Sequence, residues 1–174
     1  MEFTVTTLYH QKALTAMAKT LRKTTRKRKS RLTHIFGWVI IAVSMLLSLP
    51  VAEENYVITA NKVFTWLAAA MVFVVIIWED PLNGYIARKK MLPGTEKAIA
   101  YFTEDGFEST TDIGKTSWLY DRITVLAETK DYFVFVFSAN HAQVYDKNVI
   151  TGGTADEFRT FLTERTGKDV LHVK

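Results

Sequence analysis

Cysteine is absent from this chain, and with it go disulfides, thiolate metal sites and a cysteine nucleophile. Charge is absent from Ile35 to Val51 and from Val63 to Trp78, runs of seventeen and sixteen residues. Neither run has an amphipathic period, both being apolar all round, which is read against two core helices of a soluble protein. Neither carries an ionisable residue at its middle, so the usual mark of a transporter or proton relay is missing. Catalytic patterns are lacking too. His10, His34, His141 and His172 have no i,i+4 partner and no carboxylate at ligand spacing, and no nucleophile elbow is present. "STTDIGKT" (109–116) imitates a phosphate-binding loop, but Ser109 stands where glycine is needed, and the segment joins two strands. Gly114-Lys115 therefore reads as a hairpin turn. No cofactor and no metal are expected, and the chain does not read as an enzyme.

What is present is segregated. Residues 1–34 carry nine Lys or Arg against one acid, and residues 81–93 carry three against none. Residues 35–80 carry one against four, and 94–174 nine against thirteen, so the overall net charge of +4 describes no single part. The strongest cluster lies in "KTLRKTTRKRKSR" (19–31), directly before the first apolar run.

A helix needs about 20 apolar residues to cross a hydrocarbon core of about 30 Å. Extended back to Leu32, and to the stretch around Tyr56 with Lys62 snorkelling, the two runs predict spans near 32–51 and 57–78. The Lys/Arg excess lies outside both, while the connecting "AEENYVITANK" is short and slightly acidic. By the positive-inside rule both termini are expected to be cytoplasmic, in a multi-pass protein of a cytoplasmic (inner) membrane. Trp38 and Trp78 sit near the two ends that would face the same side, as interfacial aromatics. A signal peptide would need a shorter apolar core and no second span. A nucleic-acid-binding arm would be expected to interleave aromatics with its charges, so no nucleic acid is expected. The cluster reads instead as a membrane foot. Lys19, Arg22, Lys23, Arg26, Lys27, Arg28, Lys29 and Arg31, with Arg88, Lys89 and Lys90, are the expected contacts to an anionic inner leaflet. Glu79 and Asp80 end the second span, where they can pair with Arg88–Lys90 or with the foot. Gly37, Ser44 and Ser48 form a small-residue stripe that suits close helix packing or dimerisation.

The N-terminal segment 1–31 begins with "EFTVTTLYH", a short strand, which then gives way to a basic amphipathic helix from Gln11 with Leu14, Met17, Ala18 and Leu21 at helical spacing. "FTVT" is expected to dock as an edge strand on a sheet formed after residue 95. The two-helix hairpin occupies 32–80, and "LPGTEKA" breaks the chain before a domain at 94–174. Within that domain "AIAYFTEDGFESTT" predicts a hairpin turning at Glu104-Asp105-Gly106, Asp-Gly being favoured where positive φ is needed. "DYFVFVFS" is apolar almost throughout, as a strand covered on both faces would be. "HAQVYDK" is read as a final short strand. Thr154 and Glu157 form a capping box, Phe158, Phe161 and Leu162 one apolar face, and Gly167 a stop. The expected fold is thus a membrane α-helical hairpin plus an α+β domain, a PH-like antiparallel sheet or partial barrel closed by a C-terminal helix.

Over nearly its whole length the chain resembles the bacterial YcxB-like proteins, through the two-span hairpin opening near "FGWVI", "YFTEDGFESTT", "WLYDRITVLAETKDYFVFVF" and the helix start Glu157-Phe158-Arg159. It departs from that pattern at "QVYDKNVI", where a more aliphatic run with a proline before Lys147 is expected. The resemblance implies two transmembrane helices and a PH-like domain without supplying an activity. The expected function is non-enzymatic, with a protein or peptide partner, or a homo-oligomer, engaged at the inner leaflet. The net acidity of 94–174 does not suit phosphoinositide binding by that domain itself. The alternatives are an immunity protein against a membrane-acting or co-encoded toxin, and an accessory subunit of a membrane transporter or enzyme.

Overall fold

A computed structural model describes residues 2–49 and 59–174. It divides into two compact units. One comprises the chain through Arg26 together with Asp80–Lys174, the other Lys27–Glu79. The loop expected at 52–62, and with it both expected inner span ends at 50–51 and 57–58, falls largely outside the described residues.

The second unit is an antiparallel pair of helices, α2 (Lys27–Leu47) and α3 (Ala60–Ile77). At about 1.5 Å per residue they are roughly 32 and 27 Å long, so both are long and apolar enough to cross a membrane. α2 starts inside the basic cluster rather than at Leu32. The small-residue stripe marks where the two helices touch. Gly37 is buried, and a Cβ there would stand 2.5 Å from Ile76 Cδ1. Trp66 Nε1 donates to Ser48 Oγ at 2.9 Å.

In the first unit, β1 (Phe3–Leu8) is followed by α1 (Gln11–Lys23). Threonine hydroxyls at 20, 24 and 25 bond the carbonyls four residues back, and the Arg26 N–H reaches back to Leu21 O, ending the helix short of α2. After the hairpin come α4 (Glu79–Lys89), β2 (Lys97–Phe102), β3 (Phe107–Thr111) and β4 (Gly114–Trp118). Then follow β5 (Val125–Glu128), β6 (Tyr132–Ser138), β7 (His141–Asp146), β8 (Ile150–Thr151), α5 (Ala155–Thr166) and β9 (Leu171–His172).

These strands form two sheets, in the orders β4-β3-β2-β1-β8 and β7-β6-β5-β9. β1 is not the edge strand expected: it pairs with β2 over six residues, from Phe3↔Phe102 to Leu8↔Lys97, and with β8 on its other side. β7 is not the last strand either, since β8 and β9 follow it. Two further expectations need correction. The β3–β4 turn is at Asp112-Ile113, with Gly114 and Lys115 already in β4. Gly106 does not adopt positive φ, which among described glycines belongs to Gly94, Gly152 and Gly167. Glycine suits position 106 because a Cβ would meet Trp118 O at 2.5 Å.

β6 is buried on both faces, as its run of apolar residues predicts. Phe133 and Phe135 join Phe3, Phe102, Phe107, Tyr145 and the α5 residues Phe158 and Phe161 in an aromatic core between the sheets. Its rings meet largely edge to face, as Phe102 and Phe158 do with centroids 4.9 Å apart. Tyr132, Val134 and Val136 point the other way and pack with Val144 and Val173 under Ala13 and Leu21 of α1. α5 has the predicted capping box at Thr154 and a left-handed Gly167 at its end.

Candidate functional site

The basic residues assigned to a membrane surface separate into two sets. Arg22 forms a two-pronged ion pair with Asp80, Nε–Oδ1 2.6 Å and Nη2–Oδ2 2.7 Å, tying α1 to the start of α4. Asp80 thus pairs with the foot rather than with Arg88–Lys90. Lys23 donates to the carbonyl of Lys174, and Arg26 to Ala139 O and Asn140 Oδ1. Those three side chains have protein partners. Lys27, Arg28, Lys29 and Arg31 lie exposed in the first turns of α2, and Arg88, Lys89 and Lys90 are exposed at the end of α4. Lys89 also lies over the Tyr85 ring. Trp38 and Trp78 are about half exposed, Trp38 touching Phe73 edge to face. His34 Nε2 lies 2.7 Å from Glu79 Oε2, which also accepts from Ser30 Oγ. The carboxylate that completes this cluster is distant in sequence.

One buried charge cluster escaped the sequence reading. Glu128, 5% exposed at the end of β5, receives Arg159 Nε at 2.6 Å and Nη2 at 2.8 Å, and also binds Lys147 Nζ. Burial pushes this carboxyl up, but the hydrogen bonds from Arg159 and Lys147 outweigh it and hold the group at about 2. Every member is satisfied, so the cluster fastens α5 and the β7–β8 connection to the sheet and holds no reactive group. Its only sequence signal is an acid that closes an apolar strand.

A cleft opens at the margin between the two sheets. Where Trp118 of β4 meets His141 of β7 the sheets are joined, their rings 5.1 Å apart. Toward Gly114 they separate around a cleft of about 520 Å³, lined among others by Leu14, Met17, Met91, Ile113, Thr116 and Ala142. The two flanking edges differ. Lys147 N–H bonds Asp131 O at the end of the β6–β7 ladder, and alternation then turns positions 142, 144 and 146 of β7 outward. Asp146 N–H is taken by Thr7 Oγ1, and the backbone of Val144 bonds the Tyr9 hydroxyl. β7 is therefore capped over most of its length by side chains from the N-terminal segment. On β4 the two-residue turn makes Thr111–Gly114 a bonded pair, so Lys115 and Ser117 turn their N–H and C=O groups away from β3. Among the described residues no strand takes them up.

Residues 109–116 form a strand, turn and strand with no helix after them, which is not the geometry of a phosphate loop. No group of three His, Asp or Glu among the described residues is placed to hold a metal ion.

Residues 102–162, from the end of β2 into α5, match the family model of the YcxB-like proteins, so the resemblance read from the sequence holds over that segment. No curated protein and no solved structure matches the chain.

Proposed function

We propose that this YcxB-like chain is a membrane-anchored, non-enzymatic recognition module, whose cytoplasmic PH-like domain takes an extended segment of a protein partner onto β4. The carrying observation is the free β4 edge beside an apolar cleft. Strand addition satisfies such an edge with main-chain hydrogen bonds, while a neighbouring pocket selects a side chain. The PH-like reading is supported by two sheets, antiparallel but for the short parallel β5–β9 pair, around one aromatic core with α5 packed into it. The membrane reading rests on the two apolar helices and their basic flanks. The β1–β2 ladder adds to it, because strands from either side of the hairpin can pair only if both lie on one face of the bilayer. An even number of crossings follows, and the Lys/Arg excess selects the cytoplasmic face.

Two experiments test the two halves. A cysteine at Asn55, outside the described residues, should label from outside intact cells and one at Lys130 should not; the reverse pattern overturns the orientation. For the edge, a photo-crosslinking residue at Ser117 in the full chain should give a discrete adduct in the native cell. Lys115→Pro removes an outward N–H without touching the β3 ladder, and should abolish that adduct while leaving the thermal melt intact. An adduct that survives Lys115→Pro overturns strand addition. Turnover of a substrate by the purified chain alone overturns the non-enzymatic reading.

A further inference from the structure

A second cleft, also of about 520 Å³, opens where α1 passes the β5–β6 turn and the C-terminal segment. It shares no residue with the cleft beside β4. Its ionisable lining is Lys12, Lys19, Lys130, Lys147, Lys174 and His172, against Glu128 and Asp131. Both acids are already committed. Glu128 is held by Arg159 and Lys147, and Asp131 by Lys12 Nζ at 2.9 Å. Lys19, Lys130 and Lys174 face the same space, and among the described residues none of them makes a direct ion pair with an acid, Asp131 feeling Lys130 only at longer range. Three like charges around one cleft repel, and a multivalent anion between them turns that repulsion into attraction. Lys12 and Lys19 of α1 add to the positive lining that Lys130, Lys147 and Lys174 supply, so this cleft is basic although the 94–174 segment is net acidic.

We propose that this cleft binds a phosphate-bearing molecule of sugar-phosphate or lipid-headgroup size, through Lys19, Lys130 and Lys174. A phosphate monoester carries close to two charges near neutral pH and a lipid phosphodiester one, and both accept hydrogen bonds from several directions. Ammonium groups on flexible stems meet it as point charges, without the planar fork that a carboxylate favours from arginine. The cleft volume exceeds a bare phosphate and lies within the range of small-molecule sites, about 300–1,000 Å³.

Competitive lysine acylation of the full chain, read residue by residue by mass spectrometry, tests this. Two arms separate the sources of phosphate: glycerol phosphate added to protein in neutral detergent micelles, and nanodiscs of phosphatidylcholine with or without phosphatidylglycerol. At a probe concentration four times its dissociation constant, labelling of Lys19, Lys130 and Lys174 should fall about fivefold. Lys97 and Lys168, outside the cleft, should be unchanged. Protection by glycerol phosphate in micelles assigns a soluble ester. Protection only with phosphatidylglycerol assigns a headgroup. Lys19→Gln with Lys130→Gln should remove the protection of Lys174 while the melting temperature holds. Equal protection of Lys97 and Lys168, protection of Lys174 surviving in the double variant, or no protection in either arm would overturn the site.

Discussion

The two units use similar apolar residues in opposite ways. Phe135 and Val136 in β6 are fully buried, whereas Phe36 and Leu47 in α2 are 67% and 75% exposed. Inside the α+β unit, aromatic rings meet one another between two sheets. In the hairpin, small residues of α2 receive larger ones of α3, Gly37 against Ile76 and Ser48 against Trp66, and most of the large side chains face outward. Burial from water organises the first unit. The second sets glycine and serine of α2 at its internal contact and leaves most large side chains outside, an arrangement suited to surroundings as apolar as its own side chains.

The widest contrast is between two phenylalanines. Phe135→Ala should cost about 3–5 kcal/mol by opening a cavity in the aromatic core. Phe36→Ala should change the melting of the same unit by less than about 0.5 kcal/mol. Thermal melts in neutral detergent followed by near-ultraviolet circular dichroism compare them, and equal losses would erase the distinction. Next comes Glu128. Its carboxyl sits at about 2 in the folded protein, below its ordinary value, so its contribution is complete above the ordinary value. That contribution fades as pH falls through the window down to about 2. Glu128→Gln should cost about 3 kcal/mol at neutral pH by leaving Lys147 and Arg159 without their acid. It should also flatten the acid limb of a stability–pH curve, and an unchanged limb would show the cluster to be inert. Gly37→Leu should cost the hairpin about 1–3 kcal/mol by overpacking against Ile76. Loss of helical signal on heating would report this, with the α+β unit unaffected. Smallest is the Arg22–Asp80 pair, for which a double-mutant cycle with alanine should give a coupling of about 1 kcal/mol.

Local rules made much of this legible. Thr154 and Glu157 announced α5, Gly167 ended it, and the alternation of charge and apolar run marked both long helices. The two-sided burial of β6 followed from its lack of polar residues. What escaped were pairings between distant segments. Nothing in "FTVTTL" says that β8, only two residues long, will cover its outer side. Glu128 gave no local sign that Arg159 and Lys147 would reach it. The candidate edge was legible only as a general property of sheets; which edge stays open depends on Thr7 and Tyr9 capping β7, a contact across the insertion. The turn between β3 and β4 was misplaced because glycine attracts the prediction, whereas Asp112-Ile113 makes the bend.

The place of β1 sets a timetable for synthesis. It leaves the ribosome before the hairpin, yet β2 on one side and β8 on the other are made only after the whole hairpin. At about 5–20 residues per second, that delay is on the order of ten seconds. Throughout it, the nascent N-terminal segment has no sheet to join, and α1 no β6 to cover. The domain therefore cannot finish until the whole hairpin has been made and the segments on either side of it have met. Were those segments kept apart, β2 would be left without its partner, an exposed strand edge open to pairing with another chain.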